Sequence, residues 1–297
     1  TLYNVFKEHN DNCRKLIGTD YADITVRRYD NCLKYLMELV KRDYKVDDML
    51  LREVNGELVR KFDLYLKTEK HCAQNTVIRY MKCFKKVINL AIANEWLTKN
   101  PFAGIKFHEV EVNKQFLSQA EINRIWQKEF RIERLVLVRD VFIFCVYTGL
   151  AFIDVYNLRP EHISEDSNGN QWIVKPREKT NNLCNIPLLS IPKQILEKYK
   201  DNPYCMDKGT LLPVPCNQRM NSYLKEIAYL CGIKKNLTTH TTQHNFESVI
   251  ALANNVSLPN VAKMLGHSST RMTQHYAKVL DQTILRDMQA VEEQLAL

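Results

Sequence analysis

The chain has 297 residues, 45% of them hydrophobic and 26% charged; that is enough apolar mass for real cores, and the length suits two domains better than one. The composition excludes an intrinsically disordered chain, and no apolar run approaches the roughly 20 residues of a bilayer span, so a soluble protein without membrane contact is expected. The formal net charge of +8 points to a polyanionic partner, and the excess is N-terminal: residues 1–108 hold 20 Lys/Arg against 14 Asp/Glu, the remainder 22 against 20.

Nine scattered cysteines with no CxxC pair read as reduced, mostly buried thiols. With no signal-peptide core at the N-terminus, the expected location is cytoplasmic. Thr1 without a preceding Met reads as a trimmed start, and the sequence does not say whether a further domain precedes it.

Residues 1–17, 23–43, 47–70 and 75–97 each set apolar residues three and four apart, as in Tyr29, Leu33, Leu36, Met37 and Val40. Four amphipathic helices are predicted. Asn75 is an N-cap residue type for the fourth, and Asn100-Pro101 stops it. On that helix Arg79, Lys82 and Lys86 fall at i, i+3 and i+7 and make one face basic, while Val77, Met81, Phe84 and Ile88 serve the core. A solvated face explains most such stripes, but in the more basic half of this chain a DNA-facing surface stands level with it.

The polar stretch 109–116 breaks the pattern and reads as a linker between a domain of residues 1–108 and one of 117–297. Ser118-x-x-Glu121 then supplies a capping box. Residues 134–149 read as a buried helix and 152–159 as the next, ended by Pro160. QWIVKP and CNIPL read as the two strands of a hairpin around a turn from Glu178 to Asn182. Helices follow at 192–200, 216–231, 241–254, 258–265 and 269–277, then an amphipathic tail helix at 281–297. The predicted class is mainly α (α+β), with one small antiparallel sheet.

Two stretches carry polar chemistry. In HTTQH, residues 240–244, His240 and His244 are spaced as zinc ligands on one helix face, but Thr241 stands where a metalloprotease places its glutamate and no third ligand is evident. No metal and no cofactor are expected. In LGHSSTRMTQHYAKVL, residues 265–280, Gly266 ends a short helix, His267 sits in a turn, Ser268 or Ser269 caps the next helix and Tyr276 lies near its end.

Taken in order, TGL at 148–150, Lys179 on a hairpin turn, His240-x-x-x-His244, LGH at 265–267 and Tyr276 nine residues after His267 resemble the tyrosine recombinases, the phage-integrase family. The N-terminal helices ending in AIANEWLTKNPF look like the core-binding domain of those enzymes. The likeness covers nearly the whole chain and is closest to integrases of mobile elements in Bacteroides-type bacteria. It implies a two-domain clamp around double-stranded DNA attachment sites, four protomers on two duplexes, and accessory DNA-bending or directionality proteins. The chemistry it implies is strand cleavage and rejoining through a 3′-phosphotyrosyl link to Tyr276, with Lys179 protonating the departing 5′ oxygen. His240 and His267 match the family's imidazole positions, where donors meet the charge that develops on phosphorus.

Two positions depart from that pattern. The family's first arginine directly follows TGL, where this chain has Ala151, and its second stands where this chain has Gln243. Ala151 offers no donor, and Gln243 offers a neutral amide in place of a guanidinium fork. Arg159, Arg177 and Arg271 are the basic residues placed to substitute, and the sequence does not rank them. The alternative is a catalytically impaired homologue that binds DNA. A monomeric type IB topoisomerase uses similar groups, but the tail stripe Ile284, Leu285, Met288, Val291 and Leu295 fits docking on a neighbouring protomer, or packing in cis.

Overall fold

The computed structural model describes residues 1–110, 115–267, 269–270, 273, 288–289 and 291–292. It divides into two compact units, Thr1–Val112 and Asn113–Leu297. The expected class holds: helices dominate, with one small antiparallel sheet.

The first unit contains α1 (Leu2–Lys15), α2 (Asp23–Tyr44), α3 (Gly56–Thr68) and α4 (Gln74–Ala93). Each turns an apolar stripe inward, and Phe6, Leu36, Phe62 and Phe84, one from each helix, are fully buried. Burial of a side chain this size is worth roughly 1.5–3 kcal/mol, so the stripes rather than helix propensity hold the bundle. The helix expected from residue 47 starts at Gly56 instead, because the Asn55 side chain accepts hydrogen bonds from the amides of Glu57 and Leu58. Asn75 is not the N-cap of α4. Ala73 holds that place, and the Asn75 amide group both donates to Val110 O (2.8 Å) and accepts from Val110 N (2.9 Å).

In the second unit, α5 (Gln119–Gln127) opens on the expected capping box, with Glu121 N donating to Ser118 Oγ and Ser118 N to Glu121 Oε2. At the centre lies α6 (Glu133–Thr148), largely apolar and buried along most of its length. Its one buried acid, Asp140, is met by Arg139, by Lys198 Nζ at 2.6 Å and by Tyr199 Oη at 2.9 Å, which ties α6 to α8 (Ser190–Tyr199). The 152–159 helix shrinks to α7 (Phe152–Tyr156). The sheet has three strands rather than two: β1 (Ile163–Glu165), β2 (Gln171–Pro176) and β3 (Leu183–Pro187), antiparallel in that order, with Lys175 opposite Cys184. A short α9 (Pro203–Lys208) precedes α10 (Asn217–Leu230). The helix expected at 241–254 runs as α11 (Thr241–Asn245), a π-turn over Phe246–Ala251 and a 3-10 turn over Leu252–Asn254; α12 (Leu258–Met264) follows.

The helices expected at 269–277 and 281–297 fall mostly outside the described residues, which include Met288 and Val291, both exposed. Among the described residues no helix is long and apolar enough to cross a membrane. All nine cysteines are free and seven are buried. Burial pushes the Cys145 thiol up to about 12, so it holds its proton.

Candidate functional site

The TGL segment ends α6. Gly149 adopts φ +68°, and a Cβ there would stand 2.6 Å from side-chain atoms of both Phe246 and Leu265. Only glycine admits both the left-handed turn and this approach. The turn therefore seats the C-terminal end of α6 against the π-turn and the 265–267 segment. Ala151 follows as the partly exposed N-cap of α7, contributing no side-chain donor.

Three residues beyond it, Asp154 is 2% exposed and carries the connection to the hairpin. Its Oδ2 takes Arg177 Nη1 at 2.7 Å and its Oδ1 accepts the Glu178 amide at 2.9 Å. Arg177, itself 6% exposed, also donates from Nε to Leu265 O (2.8 Å) and from Nη2 to Gly149 O (3.3 Å). One guanidinium thus joins the α6 turn, α7, the hairpin and the LGH turn. All three of its nitrogens have a partner within the unit. Arg159 is exposed, with its backbone amide donating to His162 Nδ1, and Arg271 lies outside the described residues.

The hairpin turn is closed by Arg177 N donating to Asn182 O and Asn181 N to Arg177 O, both at 2.8 Å, and Lys179 stands exposed within it. Asn182 Nδ2 donates to Gly266 O at 3.0 Å, and a Cβ on Gly266 would meet Cys184 Sγ at 2.9 Å. The LGH turn is thus pressed onto the strand side of the hairpin. His267, next in sequence, is half-buried with Nδ1 2.9 Å from Thr273 Oγ1. Burial, and secondarily the Arg177 charge, lower its pKa, so at neutral pH it is a neutral imidazole.

His240 is the exposed N-cap of α11, its ring nearly perpendicular to that of buried His244 with centroids 5.1 Å apart; Gln243 is partly exposed on the same turn. Hydroxyls shape the entry to this helix: Thr241 Oγ1 accepts from Thr238 N and Thr242 Oγ1 donates to Thr239 O, both at 2.8 Å. Fully buried Asn245 accepts the Leu117 amide at 2.7 Å, pinning the start of the second unit to the end of α11. Among the described residues no group of three His, Cys, Asp or Glu could hold a metal ion. Tyr276 lies outside the described residues.

Sequence reasoning did not find Asp154, and it named Arg177 as a substitute without seeing that it is this acid's partner. A signal existed for both. An acid inside the apolar AFIDVYNL stretch needs a buried cation, and Arg177 borders the nearest predicted strand.

On α4, Arg79, Lys82 and Lys86 are exposed, but two of them have partners inside the unit. Lys82 pairs with Glu109. Lys86 donates to Tyr21 Oη at 2.9 Å, with its ammonium 4.9 Å from the Tyr21 ring centroid and 5.4 Å from that of Tyr29.

Residues 1–110 match the phage integrase SAM-like domain and residues 115–283 the phage integrase family. A tyrosine recombinase of Pseudothermotoga lettingae is 24% identical over 267 residues, covering 88% of this chain and 89% of the relative. The tyrosine recombinase XerC of Rickettsia prowazekii is 23% identical over 300 residues, covering 93% and 92%. Among solved structures, a lambda integrase dimer bound to a COC′ core site superposes with a TM-score of 0.73 at 16% identity, covering 92% of this chain and 94% of that one. The Tn1549 transposon integrase in complex with a circular intermediate DNA gives 0.72 at 15%, covering 98% and 99%. At these identities the structural likeness bears on the fold alone, while the family match extends over more than half of the sequence. The chain belongs to the phage integrase family, the tyrosine recombinases.

Proposed function

We propose that this chain is the integrase of a mobile element and recombines duplex DNA at specific attachment sites, with Tyr276 as nucleophile. The phenolic oxygen gives up its proton to solvent and attacks the scissile phosphorus, the bond to the 5′ oxygen breaks, and Lys179 supplies the proton that oxygen needs to leave. The 3′-phosphotyrosyl bond keeps the energy of the broken linkage, so a second 5′ hydroxyl can reverse the step on a new strand. His240 and His267 serve as donors to the non-bridging oxygens. The observation that carries this reading is the Arg177 and Asp154 junction, which fixes the Lys179 hairpin and the His267 turn against the TGL turn. In this reading residues 1–108 and 117–297 close as a clamp through the linker 109–116, and Arg79, Lys82 and Lys86 face the duplex. Four protomers synapse two duplexes in the cytoplasm, aided by DNA-bending or directionality proteins, and need no cofactor.

A second reading, a homologue that binds DNA but no longer cuts, is favoured by Ala151, Gln243 and the inward-turned Arg177. Each missing donor to transition-state charge lowers the rate roughly 10²–10³-fold. One experiment separates the two readings: nicked suicide duplexes from the flanks of its own element, scored for a covalent protein–DNA band. The recombinase reading expects a weak band that Tyr276→Phe removes and that Ala151→Arg with Gln243→Arg strengthens by about 10³-fold or more. A band formed only by the double arginine variant assigns the natural chain to the second reading. No band from either chain overturns the nucleophile assignment, and sedimentation of the same complexes tests the protomer number.

A further inference from the structure

The linker side of the first unit is fastened to α4. Gln74 Nε2 donates to His108 O (3.2 Å), and the Asn75 amide group makes its two hydrogen bonds to the backbone of Val110. Glu109 lies between these anchors, so its carboxylate is delivered by a fixed backbone to Lys82, the middle residue of the basic face. This differs from an ordinary surface pair, whose two long side chains must both be ordered to meet. Lys82, and more weakly Arg79, hold the Glu109 carboxyl below its ordinary value, so the anion is fully formed at neutral pH. Both partners remain open to solvent, with side-chain exposures of 68% and 61%. A carboxylate held against a lysine offers it the same kind of charged oxygen acceptor as a phosphate does.

We propose that Glu109 is a built-in competitor for the backbone phosphate that Lys82 binds, so that the docked linker weakens duplex binding until the phosphate displaces the carboxylate. This rests on the DNA-binding reading above and adds a regulatory element to that surface. Exposed ion pairs hold by a factor of about five at most. The competitor is therefore weak enough for DNA to displace, yet strong enough to measure.

The test is a double-mutant cycle on the full chain, with fluorescence anisotropy of a labelled random-sequence duplex between about 50 and 200 mM salt. Glu109→Gln keeps the size of the side chain and removes its charge. It is expected to tighten duplex binding about two- to five-fold at the low-salt end, with the gain shrinking as salt screens the pair. In a Lys82→Gln background the same change is expected to have no effect. Persistence of the gain in that background overturns the proposal, because Glu109 would then act through the general field of the protein. Absence of any gain in the natural background overturns it as well. If the natural chain binds no duplex at low salt, the DNA-binding reading falls and this inference falls with it.

Discussion

At the scale of single residues, the junction between Arg177 and Asp154 decides what the site can and cannot do. A buried pair stripped of one partner leaves an uncompensated charge and costs about 3–5 kcal/mol, whereas a hydrogen bond to a charged group returns only about 1.5–3 kcal/mol. Turning Arg177 away from Asp154 to reach a phosphate would therefore lose more than it gained, so Arg177 stays in the junction and can offer a phosphate only the N–H groups that the junction leaves over. The same arithmetic predicts that Asp154→Ala destabilises the second unit by about 3–5 kcal/mol in urea denaturation. Arg177→Lys is expected to lose most of that too, since one ammonium cannot span the Asp154 carboxylate and the two carbonyls of Gly149 and Leu265. A loss under about 1 kcal/mol in both variants would show the junction to be dispensable.

At the scale of elements, the sequence was legible where a pattern is long and local. The largely apolar α6, the four amphipathic stripes of the first unit and the Ser118/Glu121 box each declare themselves within one segment. Short elements did not: β1 has three residues, and the π-turn after α11 carries no spacing that separates it from ordinary helix. Of the candidate site, the sequence marked the positions of Lys179, His240 and His267, but the hairpin and the LGH turn that carry Lys179 and His267 are tied down by contacts spanning 23 and 88 positions in the chain. Asn75 shows the physical reason. Its residue type fits a local cap, yet its side chain is committed to Val110, 35 residues on. Asn75→Ala is accordingly expected to leave α4 intact, since Ala73 already starts it, and to cost no more than about 1.5 kcal/mol overall. The specific effect belongs to the linker: the Val110 amide loses its acceptor, and its hydrogen exchange should rise while that of α4 stays constant. Equal exchange in both chains would mean that the strap does not depend on Asn75.

At the scale of the whole molecule, each unit has its own core, and each also contains histidines whose protonation the fold resists. In the first unit His9 is buried between the rings of Phe6 and Tyr29, with Nδ1 3.1 Å from Asn10 Oδ1. Burial, with a smaller push from the Lys86 charge, lowers its pKa from 6.5. In the second unit His162 and His267 are shifted the same way, again chiefly by burial. The sign follows from proton linkage. Below about 6.5 the unfolded chain takes up protons that the folded chain refuses, so stability rises with pH there and is lost as pH falls toward the folded values. Each histidine contributes at most about 1.4 kcal/mol per pH unit to that slope. Carboxylates such as Glu38 and Glu178, which their lysine partners hold below 4.5, contribute stability that is present above that value and lost beneath it. The interval from about 6.5 down to 5 therefore belongs to the histidines. Urea denaturation at pH 7.5 and at steps down to 5 should show both units weakening across that interval. His9→Gln should be less stable than the natural chain at pH 7.5, where it loses ring packing, and yet show a flatter pH slope in the first unit alone. An unchanged slope in that variant would remove His9 as the source of the acid sensitivity.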